Sequence, residues 1–467
     1  MTAKERTTSA DWVVFCLLTF MALFPTLYMG NSDFTYPDAS RHAFDGVFLL
    51  DAIRELPLQH PVAWARDYYA RSPALGIGRY PPLLAVIEVP FYAVLGVCPL
   101  AARLPGALVF LAGLMFFYET LRLPLGRGGA AFAAAALAAG PATVRWSADV
   151  MLELPATGFL LASAYFVFSF ISHGKSAALY TSVVLACLAA WTKQPAALLL
   201  PVIAVFLFIE RKNRSVSLRQ FVIGVLTACL LIAPLVVLSL AFGEANVALL
   251  RGAARTFPLL SSANWLYYIT SIPSQYLGWP LTVLLVAGLF RAFFPDRPRH
   301  LAFFVMWAAG FYAFFSILGY KSARLAMFET PALCFFCALG LKSLFDAGKW
   351  IKPASQLLAA AAIVLTWYAS VAAIPVPTTR LYTVAAGVFS LHPDRVFYVG
   401  ERNGTFIFRL REVAGPVPPA VIRDSKVLYL DFIQEELGRT TPHWTTDTLR
   451  DTMSAIAPDV VVVERPS

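Results

Sequence analysis

Long apolar runs, most of them closed by a short polar or basic stretch, set the rhythm of this chain. The first runs from Trp12 to Gly30; others lie near 101–121, 129–146, 150–171, 176–192, 195–210, 220–241, 279–294, 301–319, 326–342 and 355–373. A helix needs roughly 20 apolar residues to cross a bilayer. The runs therefore predict a mainly α, polytopic transmembrane domain of about eleven spans, with soft boundaries where a run is short. A further run at 82–97 is left out of the count, because Pro81, Pro82, Glu88 and Pro90 sit badly in a lipid-facing helix. A re-entrant or interfacial segment is expected there.

Polar positions between the runs carry the topology. Lys4 and Arg6 precede the first run and no small-residue cleavage site follows it, the pattern of a signal anchor. Basic loops at Arg122–Arg127, 210–219, 291–300 and Lys342–Lys352 all fall on the cytoplasmic side if the N-terminus is inside. The opposite, outer face then receives 31–80, 146–150, 193–195, 242–278, 319–325 and everything after about 375. Two of the outer stretches, 41–56 and 61–71, have the spacing of interfacial amphipathic helices.

After residue 374 the period changes from helical runs to short β-rich ones: VFYVG at 396–400, VLYL at 427–430 and DVVVV at 459–463. TTDTLRDTMSAIA at 445–457 reads as a capped helix between two of them. The expected division is a transmembrane domain over 1–374 and a small α/β extramembrane domain over 375–467, with neither internal repeat nor glycine-rich phosphate loop.

Composition agrees with the pattern. Of 467 residues, 58% are hydrophobic and only 14% charged, with a mean hydropathy of +0.66. Charges this sparse cannot cover a water-soluble protein of that length, which excludes a cytosolic enzyme or a disordered chain. The net charge of +9 does not point to nucleic acid, because the basic residues are spread among the loops. The six cysteines all lie in or beside apolar runs, so Cys334 and Cys337 read as helix packing, not as a redox or metal pair.

Ionisable groups at a membrane boundary are costly, so the outer ones are the candidates for chemistry. Asp33 and Asp38 follow the first span directly; a carboxylate there suits a general base, or a cap on the helix after it. Arg79 stands beside the rigid Pro81-Pro82 turn and suits a phosphate or simple snorkelling. Asp149 and Glu153 lie four apart and face one side, with Arg145 as an ion-pair partner close by. Lys193, Lys321 and Arg324 defy the positive-inside bias, which suggests an anionic ligand such as a lipid-linked phosphate, or headgroups in general. Glu329 follows about one turn further in.

In this order the motifs resemble the polytopic C-type-fold glycosyltransferases, close to the bacterial protein O-mannosyltransferases and the lipid A aminoarabinose transferase. Pro37-Asp38-Ala39-Ser40-Arg41-His42-Ala43 stands for the family's P-D-E-x-R-Y-A, and Arg79-Tyr80-Pro81-Pro82-Leu83 for its K-P-P-L. Ala102-Arg103-Leu104-Pro105-Gly106 is similar to A-R-L-P-S, Ser147-Ala148-Asp149 to R-x-D, and Thr192-Lys193-Gln194-Pro195 to T-K-G-P. Lys321 through Pro331 resembles a late basic motif ending in prolines, so the likeness extends over about 10–345. The departures are Ala39 for the second acid, Tyr80 for lysine and Gln194 for glycine.

The resemblance implies a sugar donor on a polyprenyl phosphate and a lipid, glycan or protein acceptor entering from the outer side of the inner (plasma) membrane. It implies Asp38 as the base for the acceptor hydroxyl in an inverting transfer. Lys321 and Arg324, with Arg79 and Lys193, would meet the phosphate; Asp149, Arg41 and Glu153 would position the acceptor or the site. No metal or other cofactor is required, although a divalent ion is compatible. A transporter or flippase of a lipid-linked or anionic substrate is the rival class, and would be expected to show internal repeats and midplane charges.

Overall fold

The computed structural model of this chain describes residues 8–77, 79–212, 215–242, 256–294, 300–346, 351–377, 380–428 and 443–464. Lys4 and Arg6, and parts of the loops at 210–219, 291–300 and Lys342–Lys352, lie outside the described residues.

Every one of the apolar runs is helical. Among the described residues, seven stretches are helical, long and apolar enough to cross a membrane: Ser9–Met29, Pro99–Ala139, Glu153–His173, Gln194–Lys212, Leu218–Ala241, Ala323–Asp346 and Lys352–Ala372. Shorter apolar helices occupy Leu83–Leu95, Ser176–Thr192, Trp279–Arg291 and Leu301–Ile317. The chain is a multi-pass membrane protein, mainly α, with a small α/β part at its C-terminal end. One boundary differs from expectation. The runs at 101–121 and 129–146 are joined in Pro99–Ala139, which breaks only at Gly126 (φ 70°), and the second ends early. Pro141 excludes the α conformation at Gly140 (ψ 139°), so Pro141–Ser147 starts as a separate helix.

The bundle packs by close backbone approach and by aromatic stacking. A Cβ on Gly113 would lie 2.4 Å from the Gly158 Cα, so Pro99–Ala139 and Glu153–His173 touch main chain to main chain. Phe303, Phe304, Trp307 and Phe335 are buried together, with the Phe304 and Phe335 rings stacked at 4.4 Å. At one end of the bundle, Asp11 accepts from Tyr118 Oη (2.6 Å) and pairs with Arg127 (3.5 Å), which ties the first helix to the kink at Gly126.

The other end carries the polar architecture. Pro37–Glu55 is a helix with Pro37 at its first position, where the missing N–H costs nothing. Phe44, Val47 and Leu50 are buried as the amphipathic spacing requires, while Ile53 is exposed. The helix is more than interfacial, however, because Asp45 and Asp51 are buried as well. It lies between Leu83–Leu95 and a helix of the C-terminal part, Asn403–Ala414. Pro61–Arg71 is also helical and buries Tyr68.

Three parallel strands, β1 (Arg395–Val399), β2 (Ala420–Arg423) and β3 (Val460–Val463), form a sheet in the order β2-β1-β3. Val396 pairs with both Val421 and Val460, so β1 is central and its Val396, Phe397 and Tyr398 are buried. Asn403–Ala414 crosses from β1 to β2, and Thr446–Ile456, capped by the Thr445 hydroxyl, precedes β3. The second strand is thus not VLYL. Val427 ends a short helix, Asp424–Val427, Leu428 is in a turn, and 429–430 lie outside the described residues. The tetrapeptide AVIR pairs with β1 instead, a register set by contacts that its own pattern does not announce.

Candidate active site

Asp38 sits in the first turn of Pro37–Glu55, yet it does not cap that helix: Tyr36 is the N-cap and no side-chain cap bond forms. Its carboxylate turns to Arg324, whose Nη1 donates to Oδ2 at 2.8 Å. Tyr80 Oη lies 3.4 Å from the same oxygen. Burial pushes the Asp38 carboxyl up, but the Arg324 guanidinium, helped by His42 and Arg41, more than cancels this and holds it at about 2, so it is ionised at neutral pH. Burial pushes the His42 imidazole down to about 4, so it stands neutral with its ring edge against Tyr80, 4.7 Å between centroids.

Arg324 is the hinge of the cluster. Its Nε lies 3.9 Å from Glu153 Oε1, and its guanidinium packs over the Tyr36 ring at 4.9 Å. Glu153 is fully buried at the start of its helix and also accepts from Lys193 Nζ. Two carboxylates and two cations thus alternate, Asp38–Arg324–Glu153–Lys193, drawn from four separate chain segments. Charges this buried are tolerable only because each is paired. Gln194, next to Lys193, donates to the Arg79 carbonyl at 3.2 Å and brings the Arg79-Tyr80 turn to the same place. The Arg79 guanidinium lies over the Tyr80 ring at 5.5 Å. Arg41 is partly exposed one turn from Asp38, where its positive charge also lowers the Asp38 carboxyl.

Other expected residues stand behind this cluster. Asp149 pairs with Arg103 (Oδ1 to Nη2, 4.0 Å), not with Arg145, and its Oδ2 accepts from Thr35 N (2.9 Å), Thr35 Oγ1 (2.7 Å) and Tyr36 N (3.0 Å). It fixes the turn immediately before Asp38. Lys321 differs as well. Its ammonium donates to the Phe315 and Ser316 carbonyls, each at 2.8 Å, at the C-terminal end of Leu301–Ile317. Asp33 takes no part in the cluster; Arg409 Nε (2.7 Å), Arg402 Nη2 (3.3 Å) and Leu381 N (2.8 Å) all reach it from the C-terminal part. Cys334 and Cys337 are free and buried, with the Cys337 thiol against the Leu281 carbonyl.

Several contributors had no role assigned from the sequence. Arg103 is buried and donates to the Ala148, Gly30, Ser32 and Asp33 carbonyls at 2.7–3.1 Å, so it organises the whole loop before Asp38. An arginine inside an apolar run was the available signal. Tyr36, His42 and Tyr80 carry no charge pattern that would single them out. Among the described residues, no three His, Cys, Asp or Glu side chains gather as a metal-binding group.

The chain is thus a helical bundle with an acid–cation chain at one end, beneath an α/β part, and its fold matches that of membrane glycosyltransferases. The comparisons agree with this class. The family described as Dolichyl-phosphate-mannose-protein mannosyltransferase matches residues 79–238. ArnT from Cupriavidus metallidurans, solved bound to undecaprenyl phosphate, superimposes with a TM-score of 0.66 at 18% identity, covering 97% of this chain and 96% of that one. The Archaeoglobus fulgidus oligosaccharyltransferase, solved with zinc and sulfate, gives a TM-score of 0.59 at 14% identity over 87% of this chain and 62% of its own. Arabinofuranosyltransferase AftD from Mycobacteria gives 0.52 at 16% identity over 85% of this chain and 31% of its own. No curated protein matches by sequence. This chain has the fold of the polytopic membrane glycosyltransferases, as its motifs led one to expect.

Proposed function

We propose that this protein is a glycosyltransferase that moves a sugar from a polyprenyl-phosphate donor to an acceptor hydroxyl, with inversion, at the outer face of the inner (plasma) membrane. The observation that carries the reading is the Asp38–Arg324 contact of 2.8 Å at the head of the buried acid–cation chain. It puts a potential base and a potential phosphate ligand side by side. ArnT supports the donor class, having been solved with undecaprenyl phosphate in the same fold.

Asp38 takes the proton of the acceptor hydroxyl as that oxygen attacks the anomeric carbon. The bond between that carbon and the phosphate oxygen breaks, and its electron pair leaves with the phosphate. Arg324 and Lys193 offset the charge that grows there. In the resting chain the four groups balance: Asp38 and Glu153 are the anions, Arg324 and Lys193 the cations. Donor phosphate therefore draws Arg324 away from Asp38, which frees the carboxylate to act as a base. Arg41 and Arg79 flank Tyr80 and add positive potential for the donor. Lys321 holds the 318–325 segment that carries Arg324, and Asp149 holds the turn before the base. The acceptor is a lipid, glycan or protein hydroxyl. Side-chain cations serve the leaving group, so the reaction as we read it needs no metal.

The deciding experiment is transfer in liposomes from a radiolabelled polyprenyl-phosphate sugar. Asp38→Asn should abolish product while donor binding persists; undiminished transfer would remove Asp38 as the base.

A further inference from the structure

Residues 31–40, which lead to Asp38, are gripped from two sides. From the bundle, Arg103 binds the Gly30, Ser32 and Asp33 carbonyls and Asp149 binds the Thr35 and Tyr36 amides. From the C-terminal part come three different kinds of contact. Arg409 pairs with Asp33 and also donates to the Asn31 carbonyl. Phe408 meets Phe34 edge-on at 5.0 Å. Gly404 lies directly against Ser40, so closely that a Cβ on it would stand 2.3 Å from Ser40 Oγ and 3.3 Å from Ser40 Cβ. That hydroxyl in turn donates to the Pro37 carbonyl at 2.9 Å, within the same helical turn as Asp38.

The glycine itself is informative. Gly404 is the second residue of a 12-residue helix, Asn403–Ala414. Alanine there would favour the helix by roughly 1 kcal/mol on propensity alone. What Gly404 provides is room for the first turn of Pro37–Glu55. We infer that the C-terminal α/β part is a positioning element for the base: its Asn403–Ala414 helix seats the turn that carries Asp38, through Gly404 on Ser40 and Arg409 on Asp33. This rests on the proposed transfer reaction and assigns a role to the C-terminal part within it.

The chemistry gives the expected size. Reacting groups must be held to a fraction of an ångström, and a displacement of about 1 Å can cost about 100-fold in rate. An added methyl at Gly404 has to turn the Ser40 hydroxyl away from Pro37 or push the helix turn aside. Turning the hydroxyl loses its bond to Pro37 and loosens the turn that carries Asp38, and pushing the turn aside moves Asp38 with it.

The test is Gly404→Ala in the full-length protein in liposomes, alone and in the Ser40→Ala background. Expected is a fall in kcat of about tenfold or more with donor KM unchanged, and recovery of most of it when Ser40→Ala removes the crowding oxygen. Hydrogen exchange of the 31–45 peptide should speed up in Gly404→Ala and return toward that of the unsubstituted protein in the double variant. The inference is overturned if Gly404→Ala leaves kcat and exchange as they were, or if Ser40→Ala does not relieve the defect. Absence of transfer by the unsubstituted protein would instead overturn the proposed function; the exchange measurement then still reports on the contact.

Discussion

Arg324→Gln tests whether the positive charge beside Asp38, and not the bulk of that side chain, keeps the carboxylate ionised. In the intact chain, burial raises the Asp38 carboxyl, and Arg324 at 2.8 Å, with His42 and Arg41, overcomes this to hold it at about 2 against the ordinary 3.8. That difference of about 2 units corresponds to about 2.5 kcal/mol favouring the ionised form. Asp38 is depressed on folding, so this stabilisation is present above the ordinary carboxylate range and is lost as pH falls from about 4 toward about 2. Glutamine removes the charge and leaves the burial, so the carboxyl should move up from about 2 toward or past the ordinary 3.8. The acid limb of kcat/KM, which reports the free protein, should then rise with it. Transfer measured in liposomes from about pH 4 to about pH 8 should stay level at its acid end in the unsubstituted protein and fall off there in Arg324→Gln. The overall rate falls too, because Arg324 also serves the leaving phosphate in our reading, but the position of the limb is independent of its height. Arg324→Lys retains the charge and should keep the limb low. An acid limb that does not move in Arg324→Gln would refute the coupling between the two residues.

Asp149→Ala should release the Thr35–Tyr36 turn and leave its amides and the buried Arg103 without their carboxylate, costing about 2–4 kcal/mol in thermal unfolding and lowering kcat more than it raises acceptor KM; Asp149→Asn should recover part of both. Lys321→Ala removes the cap on Leu301–Ile317, so a loss of about 1 kcal/mol in thermal stability is expected with less than a threefold change in donor KM. A tenfold rise in donor KM at unchanged stability would mean instead that Lys321 meets the phosphate itself. Transfer should also continue after dialysis against a chelator, measured with and without added divalent ions; loss restored by one ion would show that the cations of the cluster do not suffice.

Much of the architecture was legible along the chain because membrane burial writes itself locally. A helix that faces lipid must be apolar over its whole length, so the runs marked the bundle. The capped helix at Thr446–Ile456 and the strands at Arg395–Val399 and Val460–Val463 followed from equally local signals. The strand at Ala420–Arg423 did not, since four residues without alternation take their state from the neighbour they pair with.

The site divides in the same way. Scarcity of charge singled out Asp38, Arg79, Asp149, Glu153, Lys193, Lys321 and Arg324 before any contact was known. Partner choice could not be read from them. Asp149 and Glu153 lie four residues apart, yet one meets Arg103 and the Thr35–Tyr36 turn and the other Lys193 and Arg324. Asp33 and Asp38, only five apart, point to the C-terminal part and to Arg324 respectively. The sequence alone determined which groups a bilayer makes too costly to keep without a use. Only the tertiary structure decided which charge answers which, because a buried ion pair is set by distances between segments as much as 376 residues apart.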